Sequence, residues 1–343
     1  VDTLVTAFDA KGRGWSHATV STGVRQLREL KWNHNETIAS DSTAVSGVTT
    51  FVGGHFVRAA ADTGAIAIAP AWVEQRGAGA SVDTLSDSVA YDGWRRVVAW
   101  TPVKNGVAGT TETYTFDRSG NISQPTGGSL TVRLHRLLSR DEGGFQRTFT
   151  YDRAGNLTQQ VWNGETLSYG YDGLERLVSV RRNGTLMARY GYDVLGRRIA
   201  KRVYSAASGG TLGYTRFVYQ GSSVAFETDS AGTTGLQFSW GAGADNLQAV
   251  KDAGGTVYYP VKDLLGSIRG LTKRNGTWWL SQRFTPYGVV LTRDTSASGS
   301  AVALRYGWTG REYDAETGWY FMRARYYSPA LRRFVQEDPI GYG

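Results

Sequence analysis

The residues with chemical potential in this chain are four histidines, a series of repeated aspartates and a set of aromatic rings. His17, His34, His55 and His135 stand far apart, with no i, i+4 pair and no adjoining carboxylate cluster, so no metal site is expected. Serine and aspartate are present, but no nucleophile-elbow pattern occurs, which argues against a hydrolase triad. No glycine loop leads from a strand into a helix to cradle phosphate, and no cofactor is expected. The absence of cysteine removes disulfides, thiolate zinc ligands and a thiol nucleophile. Trp162, Tyr169, Tyr171, Tyr190 and Tyr192 could stack sugars. Cross-strand ladders that hold neighbouring hairpins in register are the better reading of them.

The aspartates belong to a repeated unit: an aromatic, Asp, two residues, then Gly or Arg. It occurs at Phe8-Asp9, Tyr91-Asp92, Phe116-Asp117, Tyr151-Asp152, Tyr171-Asp172 and Tyr192-Asp193. Asp152 to Asp172 is 20 residues and Asp172 to Asp193 is 21, while Asp117 to Asp152 is 35, room for an insertion. Aspartate opens a tight turn by accepting backbone N–H groups two residues on. Glycine three residues later, as at Gly120, Gly155 and Gly196, supplies the positive φ that closes it. Turn capping therefore accounts for Asp92, Asp117, Asp152, Asp172 and Asp193 without catalysis. Between corners, Leu167, Tyr169 and Tyr171 share one strand face. Leu177, Ser179 and Arg181 are expected opposite Val178 and Val180. Asn183-Gly184 predicts a type I′ hairpin turn. One hairpin is marginal in water, so the units should join edge to edge in a long sheet. Val24, Leu27 and Leu30 suggest a short helix over 23–30. Ala65–Ala69 alternates like a strand.

Composition agrees with an all-β chain rich in turns: Gly is 44 of 343 residues, with 19 Tyr and 11 Trp. A hydrophobic share of 41% argues against disorder. The formal charge of +8 is scattered as single or paired arginines at strand ends, such as Arg95, Arg96, Arg176, Arg197 and Arg198, so no nucleic-acid face is expected. No run of about eighteen apolar residues predicts a membrane span. A cysteine-free chain is compatible with secretion. The start at Val1 lacks a basic and hydrophobic leader, so the chain reads as a piece of something longer.

The stretch 306–343 carries the densest pattern. Tyr313-Asp314-Ala315-Glu316-Thr317-Gly318 is a turn, and Trp319 to Tyr327 crowds aromatic and basic residues as strands do. Arg333-Phe334 and Asp338-Pro339-Ile340-Gly341 close it. This stretch resembles the core-associated segment of rearrangement-hotspot (RHS), or YD-repeat, proteins, related to toxin-complex C subunits and teneurins. The Tyr-Asp corners resemble their repeat. Tyr258-Tyr259-Pro260-Val261-Lys262-Asp263-Leu264-Leu265-Gly266-Ser267 resembles a later block, with Lys262 and Leu264 where the family has histidine.

The resemblance divides the chain into degenerate repeats (1–90), clear repeats (91–202), late strands (203–305) and the core segment (306–343). It implies antiparallel hairpins spiralling into a hollow shell with a polar inner face. The core segment would be an inward plug, through Tyr320, Arg323, Arg325, Tyr326, Tyr327, Phe334, Pro339 and Gly341, with its turn at Asp314 and Gly318. It implies a secreted or surface protein housing a C-terminal toxin effector, closed by N-terminal repeats or a B-type subunit. In such proteins two aspartates, each in a D-P-x-G, cut the chain. Asp338 matches the first, and its partner would lie beyond Gly343. The alternative is a surface or wall-associated adhesin binding carbohydrate or a partner protein.

Overall fold

The computed structural model describes side chains over residues 85–340, apart from 86, 123–128, 134, 142–143, 206, 208, 264, 274–277 and 295–303, and the backbone alone of the strands before residue 85. The described chain is all-β, with one 3-10 turn at Trp308–Gly310. It divides into two compact units. The first comprises residues 1–115, 257–286 and 290–301. Its strands from Thr3–Phe8 to Val97–Lys104 pair in chain order, as do those from Val257–Lys262 to Val290–Asp294. The second comprises 116–256, 287–289 and 302–343. Its strands from Leu130–Arg133 to Leu247–Lys251 follow one another in the same way. The C-terminal segment adds a separate four-stranded sheet: Glu312–Asp314, Trp319–Phe321, Tyr326–Ser328 and Arg333–Phe334.

Residues Val24–Trp32 form a strand, not the helix that the spacing of Val24, Leu27 and Leu30 suggests. Both its edges carry ladders, to Gly14–Ser21 and to Ile38–Val45. Eight residues are too few to hold a helix against that pairing. The Phe8-Asp9 corner and the start of Ala65–Ala69 lie outside the described residues.

The hairpins repeat two turns. At one end, Asn163-Gly164 and Asn183-Gly184 both take positive φ, 48° and 76° in the first and 48° and 81° in the second, which suits a type I′ turn. At the other end sits the Tyr-Asp corner. Asp172 N–H bonds the Arg176 carbonyl, while its Oδ1 accepts the N–H groups of Leu174 and Arg176. Asp92 and Asp193 do the same. Asp117 and Asp152 bond Asn121 and Asn156 instead of arginine.

The corners at Asp92, Asp152, Asp172 and Asp193 end in a β-bulge. Tyr171 opposes Leu177 and Gly170 opposes Ser179, so Val178 is the extra residue. The register at Tyr151 and Tyr192 leaves Thr158 and Ile199 extra. A bulge resets the alternation of faces. Leu177 and Val180 therefore share the buried face, where uninterrupted alternation would oppose them. By the same device Leu157 and Gln160 are both buried, and so are Arg198 and Lys201.

Successive units are also tied corner to corner. Tyr171 and Tyr192 hydroxyls donate to the Leu157 and Leu177 carbonyls. Arg176 and Arg197 each pair with their own corner aspartate, donate to the next corner at the Asp193 and Gly221 carbonyls, and lie 5.0 and 4.9 Å over the rings of Tyr192 and Tyr219.

Candidate functional site

In the second unit the C-terminal segment lies on the buried face of the hairpins. Its Trp319, Phe321, Tyr326, Leu331 and Val335 join Leu157, Leu177, Val180 and Tyr190 in one apolar core. Burying each such side chain contributes about 1.5–3 kcal/mol. Trp319 stacks on Tyr169 with ring centroids 4.4 Å apart. Around these residues the face under the segment is apolar rather than polar, because another layer fills it. Tyr169 and Tyr190 turn their rings to this layer, not mainly to cross-strand neighbours.

Inside that layer sits an ionic cluster. Arg198 is fully buried, paired with Asp314 and, at 2.6 Å, with Glu312. Lys201 bonds the second oxygen of Asp314 at 2.7 Å and Glu316 at 2.9 Å. Tyr190 donates to Glu316 at 2.6 Å, and Tyr326 meets both Arg198 and Tyr192. Arg305 extends the cluster to Glu227. Three rings surround the Arg198 guanidinium, Phe321 being nearest at 4.4 Å. Burial works to raise the Asp314 pKa, but Arg198 and Lys201 outweigh it and hold the carboxyl at about 2. Burial pushes the Tyr192 hydroxyl up to about 12.

The remaining plug residues follow from this anchoring. Tyr320 and Tyr327 hydroxyls donate to the carbonyls of Gly288 and Tyr287. Thr317 and Gly318 N–H groups both bond the Asp314 carbonyl, with Gly318 at φ 71°. Val335 and Gln336 fasten the end of the segment, through Leu157 N–H to the Val335 carbonyl and through Gln336 Nε2 to the Glu175 carbonyl. Asp338 follows at the surface, its side chain 42% exposed. Its Oδ2 is 2.7 Å from Arg325, and its Oδ1 accepts the Ile340 N–H. Arg325 in turn lies 3.7 Å over Phe334. Pro339 borders a groove shared with Arg323, and Gly341 lies outside the described residues. Among the described residues no cluster of three or more His, Asp or Glu could hold a metal.

Sequence reasoning missed Arg198, Lys201, Glu312 and Glu316. The signal was there. Leu157 and Leu177 stand five residues after Asp152 and Asp172, and Arg198 stands five after Asp193.

A family model, the teneurin YD-shell, matches residues 88–342. The chain belongs to this YD-repeat family, whose hairpin corners and core segment it carries. It is 28% identical over 176 residues to the tRNA3(Ser)-specific nuclease WapA of Bacillus spizizenii, covering 50% of this chain and 7% of that protein. It is 28% identical over 201 residues to toxin subunit YenC1 of Yersinia entomophaga, covering 53% of this chain and 20% of that protein. Among solved structures, the Photorhabdus luminescens Tc holotoxin pore aligns with 98% of this chain and 20% of its own at 16% identity and a TM-score of 0.43. The chain thus spans no more than a fifth of these three relatives.

Proposed function

We propose that the chain forms wall and plug of a secreted toxin's shell that houses a C-terminal effector, and that Asp338 takes part in releasing it. The supporting observation is the segment itself. An apolar core and a buried ionic cluster fix it on the sheet, and it presents Asp338 at the surface beside Arg325. N-terminal repeats or a B-type subunit would close the shell. A carboxylate held in this way can serve as one half of an aspartyl pair. One carboxylate removes a proton from water, which adds to the scissile carbonyl. The other protonates the amide nitrogen as the C–N bond breaks. The second carboxylate would come from the second D-P-x-G of the resemblance, with Arg325 orienting the first.

The full-length gene product on a denaturing gel tests this. Wild type should run as two fragments and Asp338→Asn as one uncut chain. Identical patterns for the two proteins would remove Asp338 from the reaction.

A further inference from the structure

Beside the C-terminal segment, the row of corner turns in the second unit leaves a groove of about 730 Å³. Its inner side is apolar, with Tyr306, Phe321, Val224 and Trp240. At its mouth stand Leu174 and Leu195, each two residues after a corner aspartate, 69% and 73% exposed. Leucines exposed at consecutive corners beside an aromatic wall are an unspent apolar surface.

The rim is basic. Arg176 and Arg197 are neutralised by Asp172 and Asp193. Arg311 and Arg323 instead share one carboxylate, Asp245, at 2.8 Å each. Glu312, the other acid lining the groove, is spent on buried Arg198. Two guanidinium groups therefore rest on a single carboxylate at this end. Burial pushes the Arg311 guanidinium below its usual range, and the like charge of Arg323 adds to this against the pull of Asp245.

Arg323 adds an independent observation. It occupies the tight turn closed by Met322 N–H to the Arg325 carbonyl, at φ 64°. Glycine takes that conformation freely, whereas a side chain there is strained by about 1–3 kcal/mol. The arginine is kept with its side chain 46% exposed at the groove. A broken local rule beside a cavity points to a use for the side chain.

We propose that this groove docks an extended acidic peptide. An apolar side chain sits between Leu174 and Leu195 against the aromatic wall, and a carboxylate is taken by Arg311 and Arg323. Guanidinium groups bind carboxylates through paired hydrogen bonds, which makes them suited to this ligand. The proposal is independent of the shell reading and of any cleavage at Asp338.

Fluorescence anisotropy on the 343-residue chain tests it, with a labelled octapeptide alternating leucine and glutamate. This peptide should bind saturably, and peptides alternating leucine with lysine or serine with glutamate at least about tenfold more weakly. Arg323→Gly should weaken binding about tenfold without lowering Tm, since glycine suits the turn. Arg332→Gly removes the same charge from another left-handed position (φ 55°) that does not line the groove, and should leave binding unchanged. Equal affinity for the glutamate and lysine peptides would overturn the proposal. So would a folded Arg323→Gly that binds as wild type does, or one that loses no more than Arg332→Gly.

Discussion

At the Tyr-Asp corners one residue must adopt left-handed backbone, and the chain fills that position in two ways. Gly120, Gly155 and Gly196 do so at φ 77–84°, while Arg95 and Glu175 hold φ 63° and 62°. A side chain there costs about 1 kcal/mol. Glu175→Gly should therefore raise stability by about that amount in urea melts, because the Glu175 carbonyl that receives Gln336 is kept. The reverse change depends on what lies outside the turn. At Gly196 an added Cβ meets nothing within 4 Å, so Gly196→Ala should cost about 1 kcal/mol from φ alone. At Gly155 the same Cβ falls 2.5 Å from the side chain of Glu337, which is paired with Arg136 at 2.6 Å. Gly155→Ala should cost more than Gly196→Ala, and equal losses would show that Glu337 yields freely. The aspartate of each corner, and the glycine where one stands three residues on, are legible as turn chemistry from types and spacing alone. The approach of Glu337 to Gly155 joins residues 182 positions apart in the chain, which no local pattern records.

At the scale of the element, the bulge after each corner decides which side chains meet the C-terminal segment. Strict alternation sends Leu177 and Val180 to opposite faces, but the extra Val178 brings them to one. The same bulge carries Arg198 and Lys201 inward, and the acids of the Glu312–Asp314 strand and its turn answer them. Removing one member of a buried pair leaves an uncompensated charge, so Asp314→Asn should cost about 3 kcal/mol or more. A double-mutant cycle with Arg198→Leu should show strong coupling, whereas additive losses would mean that the two act separately. The pH dependence follows from the same pair. The Asp314 carboxyl is held at about 2, below its ordinary value near 3.9. Its contribution is fully present above about pH 4 and is lost as pH falls through 2. Near-UV circular dichroism should show the Trp319 environment weakening across that window, and Asp314→Asn should remove this step. The sequence makes the corners and the strands that flank them visible, since both are local. It hides the cluster, because two cations at positions elsewhere held by leucine, valine or glutamine read as solvated strand ends until the bulge is known.

Across the second unit, the hairpins pair only with their neighbours along the chain, as in a one-dimensional repeat. Such an array opens in steps from its ends, each interface contributing its own share of stability. The C-terminal segment changes that arrangement. With Arg305 just before it, it reaches Arg136 through Glu337, Asn156 and Glu175 through Gln336, Tyr190 through Glu316, Arg198 through Asp314, and Glu227 through Arg305 itself. Hairpins separated by some ninety residues, 136 to 227, are thereby bound to one short stretch. The expected consequence is cooperativity: the repeats from residue 136 to 228 and the segment should unfold together. Hydrogen exchange in urea should show amides of Glu165–Tyr171, Arg198–Tyr204 and Trp319–Phe321 opening with one free energy. Removing residues 305–343 should lower the urea m-value and split the exchange into separate steps, since m follows the surface exposed in each cooperative event. If the truncated chain still unfolds in one transition with the same m, then the corner-to-corner ties of Tyr192, Arg176 and Arg197 suffice, and the segment is only a cover.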